Sequence, residues 1–325
     1  MPAEMPAAAQ HSCWILTDGA AGNERQAQAL ADALRCRAEV IGLALRAPWS
    51  WFAPRLLPGA GHAFGPGFTA RMSQPPELAI ACGRRGALAA RILSGAGGGH
   101  CRTIQILDPR IAPAHFDLVI APAHDRLSGD NVIRTVGALN PIDGEWLARA
   151  RVEFAGVGTL ERPITLLALG GPTRSLRLDR GYFEQVAAIL EHWHARDGGS
   201  VLVTSSRRTP AWLRAGARRR LAGLPGRQWH GAADGPNPYA GFLAWADRIV
   251  VTPDSVNLLS EACATGRPVL CHAPRPPRGK IGDLYRALVE SGRVRALHLE
   301  YQPWQTEPLR ELGPVAEQVR VRLGL

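Results

Sequence analysis

The hydrophobic pattern of this chain alternates short apolar runs with longer amphipathic segments. Two of these runs, 78–82 (LAIAC) and 163–169 (PITLLAL), are apolar at successive positions rather than at every second position. Such runs are typical of strands in a parallel sheet that is covered on both faces. Because segments of helical length separate the runs, the pattern predicts βαβ units and an α/β fold.

The pattern runs through the chain twice. The first half predicts strands at 13–17, 38–43, 78–82, 103–107 and 117–121, and the second at 163–169, 200–204, 248–252 and 268–271. Polar, glycine-containing sequence at 145–162 separates the two series. We therefore predict two Rossmann-like domains facing across a cleft, at 1–155 and 156–306. The amphipathic segment 307–325 is predicted to be a C-terminal helix that crosses back to the first domain.

The segment 48–76 is irregular and rich in glycine and proline, with Trp49, Trp51 and Phe52 at its start. Two interpretations stay open. It is a loop whose aromatic side chains pack on the core, or it is a lip that faces an acceptor or a membrane.

The composition narrows the class of protein. With 325 residues, 46% of them hydrophobic and 20% charged, the chain has enough apolar material for two cores. It contains no uninterrupted apolar run of about 18 residues, which a spanning helix requires. The first residues lack the basic and long apolar regions of a signal peptide, and the six cysteines form no Cys-x-x-Cys motif. These features favour a cytoplasmic protein.

The net charge of +10 raises the question of an anionic partner. Lys280 is the one lysine among 38 basic residues, and this ratio, with abundant alanine, glycine and proline, is typical of GC-rich bacterial genes. Residues 1–158 carry a net charge of +2, whereas residues 159–325 carry +8. The second half is therefore the better candidate for binding a phosphate-bearing small molecule, and no nucleic-acid partner is expected.

The segment 252–268 (TPDSVNLLSEACATGRP) carries the clearest candidate site. A predicted strand ends at Thr252, and Ser255 caps the predicted helix 255–264. The first N–H groups of that helix would face the carboxyl edge of the sheet, where phosphate is favoured. Asp254, Ser255 and Asn257 would contact the phosphates, and Glu261 would accept the ribose hydroxyls. The alternative is a capped helix on which Glu261 is solvated or paired.

This segment resembles the donor-binding segment of GT-B glycosyltransferases, including the bacterial lipid-intermediate N-acetylglucosaminyltransferases, and that of the UDP-sugar 2-epimerases. Several segments together resemble the mitochondrial fission ELM-type family, a set of GT-B-like proteins. They are LTDGAAGNERQAQALADAL (16–34), APAHDRLSGDNVIRTVGALNPI (121–142), LALGGPTR (167–174), VTSSRRTP (203–210), VTPDSVNLLSEACATGRPV (251–269) and RGKIGDLYRAL (278–288). The resemblance spans nearly the whole chain and implies a GT-B-like fold.

Two further turns follow predicted strands of the second half. Gly170 and Gly171 would let the backbone approach a pyrophosphate, and Arg174 would neutralise it. Ser205 and Arg207 lie in a second anion candidate, SSRRT, after the next strand. The alternatives are a tight turn and a capping loop. Thr209 is predicted to cap the helix that Pro210 opens.

Candidate bases lie in the first half. Asp18 and Glu24 follow the first strand in a turn that lacks the Gly-x-Gly-x-x-Gly fingerprint of dinucleotide binding. His124 lies beside Asp125 after the fifth predicted strand, where it would act as an oriented base. The alternatives are an acidic helix start and an ordinary histidine. The chain contains no Asp-x-Asp motif, so no metal site is predicted.

These features predict a metal-independent glycosyltransferase that uses a nucleotide-diphosphate sugar as substrate and holds no permanent cofactor. The acceptor would be a small molecule or a lipid-linked molecule, the latter placing the protein at the periphery of the inner membrane. Two other functions stay open: a non-catalytic scaffold that recruits partners, as the family name implies, and a nucleotide-sugar epimerase.

Overall fold

The computed structural model describes residues 10–96, 99–173 and 176–325. They divide into two compact units. Unit 1 extends to Asn140 and takes in Glu311–Leu325, whereas unit 2 is Pro141–Arg310. Each unit is built on one six-stranded parallel sheet, so the predicted α/β architecture of two Rossmann-like domains is confirmed.

Unit 1 has the strand order β2-β1-β3-β4-β5-β6. Its strands are β1 (Ser12–Thr17), β2 (Arg37–Gly42), β3 (Leu78–Cys82), β4 (Arg102–Ile106), β5 (Leu118–Pro122) and β6 (Val132–Thr135). Its helices are α1 (Ala21–Ala33), α2 (Trp49–Phe52), α3 (Pro66–Arg71), α4 (Gly83–Ala96) and the final helix α11 (Leu312–Leu323). Every residue of β3 and β5 is buried, as the unbroken apolar runs predict.

The last helix belongs to unit 1. Val315, Ala316 and Val319 are buried in the same cluster as Ala27 and Leu30 of α1. The predicted return of the C-terminal helix to the first domain is therefore confirmed, although the helix begins at Leu312 rather than at 307.

Unit 2 has the strand order β12-β11-β10-β7-β8-β9. Its strands are β7 (Ile164–Leu169), β8 (Ser200–Ser205), β9 (Gly226–Trp229), β10 (Arg248–Val251), β11 (Val269–Cys271) and β12 (Val294–Ala296). Its helices are α5 (Gly144–Glu153), α6 (Arg180–Asp197), α7 (Ala211–Arg220), α8 (Tyr239–Trp245), α9 (Val256–Ala264) and α10 (Lys280–Glu290).

The division between the units falls after Asn140, whereas the sequence analysis placed it at 155. The reason is that residues 144–153, predicted to belong to the first domain, form α5 of unit 2. Its residues Leu147 and Ala150 are buried with Phe242 of α8 in a core cluster of unit 2. The start of α5 is set by Asp143, whose side chain accepts a hydrogen bond from the Trp146 N–H at 2.7 Å.

Two simpler observations bear on the class of protein. All six cysteines are free thiols. Within the ranges given above, no helix is both long and apolar enough to cross a membrane.

Candidate functional site

Each sheet has one point at which the strand order reverses. In unit 2 the chain runs outward from β7 through β8 to β9 and then returns to place β10 on the other side of β7. In unit 1 the corresponding point lies between β1 and β3. Ligands of open α/β sheets bind outside the carboxyl ends of the strands at such a point. The loops after β7 and β10 are therefore the place to look for a ligand in unit 2.

Asp254 joins the loops after β7, β8 and β10. Its carboxylate, which has no exposed surface, accepts hydrogen bonds from Thr252 Oγ1 at 2.7 Å, the Gly171 N–H at 3.0 Å and the Arg208 guanidinium at 2.5 Å. Burial nevertheless raises the pKa of Asp254 above its usual range, because these donors replace the lost water only in part. A carboxyl group held at such an energetic cost is more typical of functional sites than of ordinary cores.

The glycine turn after β7 packs tightly against this network. A Cβ atom on Gly170 would lie 1.9 Å from Asp254 Oδ1, and one on Gly171 would lie 2.3 Å from the Arg208 carbonyl oxygen. Both N–H groups are donated inside the protein, that of Gly170 to Thr252 Oγ1 at 2.7 Å and that of Gly171 to Asp254. The two glycines therefore allow the loops to approach one another. Arg174, predicted to neutralise the pyrophosphate, lies outside the described residues.

The loop after β8 differs from the prediction in its capping residue. Thr209 does not cap α7; its hydroxyl group lies within hydrogen-bonding distance of the carbonyl oxygens of Leu169 and Gly170, at 2.8 and 2.7 Å. Pro210 occupies the N-cap position without a side-chain hydrogen bond. The predicted cap was wrong because a contact with the neighbouring strand outweighs the local preference of threonine. Arg207 is exposed, whereas Arg208 bonds to Asp254 and keeps half of its side chain exposed.

The start of α9 agrees with the prediction. Ser255 is the N-cap residue, and its hydroxyl oxygen accepts a hydrogen bond from the Leu258 N–H at 3.4 Å. Asn257 is partly exposed in the first turn. One turn further on, Glu261 Oε2 accepts a hydrogen bond from the Tyr239 hydroxyl group at 2.8 Å. Tyr239 therefore fixes the orientation of the carboxylate that the sequence analysis proposed for the ribose.

Ser205 is buried and belongs to a second network. Its hydroxyl group lies 2.7 Å from His230 Nδ1, and His230 Nε2 lies 3.0 Å from Gln228 Oε1. Because the Gln228 oxygen only accepts hydrogen bonds, Nε2 carries the proton and Nδ1 accepts the Ser205 hydroxyl proton. Burial, with the charges of Arg218 and Arg214, lowers the pKa of His230. The neutral imidazole thus links the ends of β8 and β9.

This network predicts a pH dependence of stability. Since folding lowers the pKa of His230, the unfolded chain takes up a proton first as the pH falls below about 6.5. The contribution of this network to the free energy of unfolding is fully present above that pH, and it declines as the pH falls towards the pKa of His230 in the folded protein. We expect the fall in melting temperature between neutral and mildly acidic pH to be smaller in His230→Gln than in the wild type. The control is His100→Gln, at an exposed position outside the network. An unchanged pH dependence in His230→Gln would contradict the assignment.

In unit 1, Asp18 lies at the point of strand reversal. Its Oδ1 atom accepts hydrogen bonds from the Ala20 N–H at 3.1 Å and the Asn23 amide at 2.9 Å. A Cβ atom on Gly83, the residue after β3, would lie 3.3 Å from Asp18 Oδ2. Glu24 is partly exposed in the first turn of α1. Asp18 therefore organises the loop at which it was predicted to act as a base.

His124 lies after β5 and is almost fully buried together with Asp125. The nearest atoms of the pair, His124 Nε2 and Asp125 Oδ1, are 4.0 Å apart, and the Asp108 N–H donates to Asp125 Oδ2 at 3.1 Å. Leu107 and Arg126, which flank these loops, have positive φ angles of 69° and 56°. Left-handed backbone at residues other than glycine is strained and is found preferentially at functional sites.

The strand order decides which candidates come together. Gly170 and Ser255 follow β7 and β10, and Ser205 ends the adjacent strand β8, so these predicted phosphate-binding residues share one edge. In unit 1, β1 and β5 are three strand positions apart, about 14 Å at the usual spacing, so Asp18 and His124 do not form one cluster. Tyr239 and His230 were not predicted from the sequence. Arg208 lies within the predicted anion candidate SSRRT, although Arg207 was the arginine selected from that segment.

Comparisons with known proteins agree with this architecture. The model of the family described as "Mitochondrial fission ELM1" matches residues 21–323. The mitochondrial fission protein ELM1 of Arabidopsis thaliana is 32% identical over 280 residues, which cover 77% of this chain and 64% of the plant protein. The match thus spans less than two thirds of the length of that relative.

Two solved structures show the same fold at low sequence identity. The UDP-GlcNAc 2-epimerase of Methanocaldococcus jannaschii, in complex with UDP-GlcNAc and UDP, is 14% identical with a TM-score of 0.51, covering 96% of this chain and 99% of that one. Acinetobacter baumannii MurG is 12% identical with a TM-score of 0.52, covering 96% and 90%. Likeness at this level of identity shows the GT-B fold alone.

Proposed function

Because the chain belongs to the mitochondrial fission ELM1 family and has the GT-B fold, we propose that unit 2 binds a nucleotide-diphosphate sugar and that the protein transfers the sugar without a metal ion. The observation that carries the proposal is the meeting of three loops on Asp254 at the point of strand reversal, beside the start of α9. A neighbour with this fold has been solved with UDP-GlcNAc and UDP.

The diphosphate would lie against the start of α9. The first N–H groups of that helix carry a partial positive charge, and the side chains of Ser255 and Asn257 add donors. Arg208 is oriented by Asp254 and remains half exposed, so it supplies positive charge at this edge, with Arg207 beside it. These groups would stabilise the negative charge that develops on the leaving diphosphate.

The remaining predicted residues either support the loops or contact the nucleoside. Gly170 and Gly171 allow the loops to meet, and Ser205 holds β8 and β9 together through His230. Glu261, oriented by Tyr239, would accept hydrogen bonds from the ribose hydroxyl groups.

In unit 1 we propose Glu24 as the base that deprotonates the acceptor, because it is partly exposed in the first turn of α1, beside the point of strand reversal. Asp18 and His124 are the alternatives. Asp18 is weaker because it organises its own loop, and His124 because its side chain is almost fully buried and lies 4.0 Å from the Asp125 carboxylate. The acceptor would be a small molecule or a lipid-linked one.

The double variant Ser255→Ala/Asn257→Ala tests the donor site. Loss of two hydrogen bonds to a charged group should weaken binding by about 3 kcal/mol, or roughly a hundredfold. Calorimetry with UDP, ADP, GDP and TDP would identify the nucleotide that binds and measure this loss. Asp143→Ala is the matched control, since it removes an N-cap from α5 and leaves the three loops intact.

The outcomes separate the alternative functions. Binding that the double variant leaves unchanged would place the site elsewhere. No binding of any nucleotide by the wild type would contradict the proposal and favour the scaffold. Conversion of a UDP-sugar in the absence of an acceptor would identify an epimerase instead.

A further inference from the structure

Unit 1 exposes three large apolar side chains within six residues. Trp51 is 73% exposed, Phe52 47% and Leu56 45%. We call these three residues the aromatic patch. Isolated exposed apolar residues are ordinary, but a cluster that includes a tryptophan marks an interaction surface.

The backbone beneath the patch is anchored. Ala53 and Pro54, between the exposed residues, are buried. Their carbonyl oxygens accept hydrogen bonds from Arg84 Nε at 2.9 Å and from an Arg91 NH group at 2.8 Å. The backbone of this segment is therefore fixed to α4, whereas the side chains of the aromatic patch are exposed to solvent.

The surroundings of the patch are positively charged. Arg55 precedes Leu56 in the chain and is exposed, and Arg84, which bonds to the Ala53 carbonyl oxygen, and Arg85 are exposed at the start of α4. Arg84 and Arg91 bond to carbonyl oxygens, which leave the charge of a guanidinium group uncompensated. The sequence contains no acidic residue between Glu39 and Glu77. The patch thus combines apolar side chains with unneutralised positive charge.

We propose that the aromatic patch docks unit 1 on a bilayer surface that carries anionic lipids. Tryptophan and phenylalanine enter the region between headgroups and acyl chains, while arginine binds the lipid phosphates, and stable peripheral binding needs both contributions. This docking does not depend on the proposed sugar transfer, because none of its residues belongs to the donor site or to the candidate bases.

Sedimentation of the full chain with vesicles tests the proposal. The wild type should bind vesicles that contain phosphatidylglycerol much more tightly than vesicles of phosphatidylcholine alone. The triple variant Trp51→Ser/Phe52→Ser/Leu56→Ser should bind roughly tenfold more weakly or worse. The matched control is Val152→Ser/Val321→Ser, which replaces two apolar side chains of equal or greater exposure (81% and 74%) outside the patch and should bind like the wild type.

A second variant keeps the apolar side chains and tests the charge. Arg55→Gln/Arg85→Gln should lower binding about fivefold for each arginine removed. Sodium phosphate and sodium chloride at equal ionic strength should weaken binding equally. Selective competition by phosphate would indicate a phosphate site and overturn the proposal. Unchanged binding by the triple variant, or no vesicle binding by the wild type, would also overturn it and leave a protein partner as the occupant of the patch.

Discussion

Replacement of Asp254 by alanine is expected to lower the free energy of unfolding by about 2–4 kcal/mol, since it leaves buried donors without an acceptor. The carboxylate receives hydrogen bonds from Thr252, Gly171 and Arg208, which lie in the loops after β10, β7 and β8. Its loss leaves the Gly171 N–H buried and unpaired, and it removes the 2.7 Å acceptor of the Thr252 hydroxyl group, whose other possible acceptor, the Ala168 carbonyl oxygen, lies at 3.5 Å. Arg208 loses less, because half of its side chain is exposed and can be hydrated.

The same variant should lose nucleotide binding, since Asp254 orients Arg208 and fixes the glycine turn. Asp254→Asn keeps one acceptor oxygen and should lie between alanine and the wild type. Glu145→Ala is the control for removing a carboxylate: its ion pair with Arg149 is exposed on both sides and should change stability by less than about 0.5 kcal/mol. Denaturant unfolding measures these differences. An alanine variant as stable as the wild type would show that the loops do not depend on Asp254.

Gly86→Ala is expected to destabilise unit 1 by about 2–3 kcal/mol, although alanine normally favours a helix over glycine by about 1 kcal/mol. A Cβ atom at this position would lie 2.2 Å from the carbonyl oxygen of Leu16 and 3.1 Å from its carbonyl carbon. Both atoms belong to the backbone of β1, so a side-chain rotation cannot relieve the contact. α4 would have to move away from the strand that leads into Asp18.

Gly95→Ala, in the same helix, is the matched control. No atom lies within 4 Å of a Cβ placed on Gly95, and the residue is exposed. This variant should therefore be as stable as the wild type or up to about 1 kcal/mol more stable. Thermal unfolding of the two variants gives the comparison. If both shift the melting temperature in the same direction, close packing of α4 on β1 is not what requires glycine at position 86.

The fold was predictable where strands are buried on both faces. The runs that form β3, β5 and β7 are apolar at most positions, because helices cover both sides of the sheet. The strands β6, β9 and β12 were missed, because none of them has more than two consecutive apolar residues. In β9 none of the four residues is buried, so its sequence carries no hydrophobic signal.

The features of the candidate site that depend on neighbouring residues in the sequence were predictable. A serine that follows a strand and precedes a helix is a typical N-cap, and Ser255 is one. Contacts between loops could not be predicted in this way. The local sequence does not determine that Arg208 rather than Arg207 bonds to Asp254. It also does not determine that Thr209 bonds to carbonyl groups at the end of β7. Both contacts depend on which strands are neighbours.

A crystal structure of the full chain soaked with UDP tests the central claim most directly, because it locates the diphosphate. We expect the diphosphate at the carboxyl edge between β7 and β10, within hydrogen-bonding distance of the Arg208 guanidinium group and of the first N–H groups of α9. Uracil or phosphate density at any other place, with the loops around Asp254 unoccupied, would contradict the account.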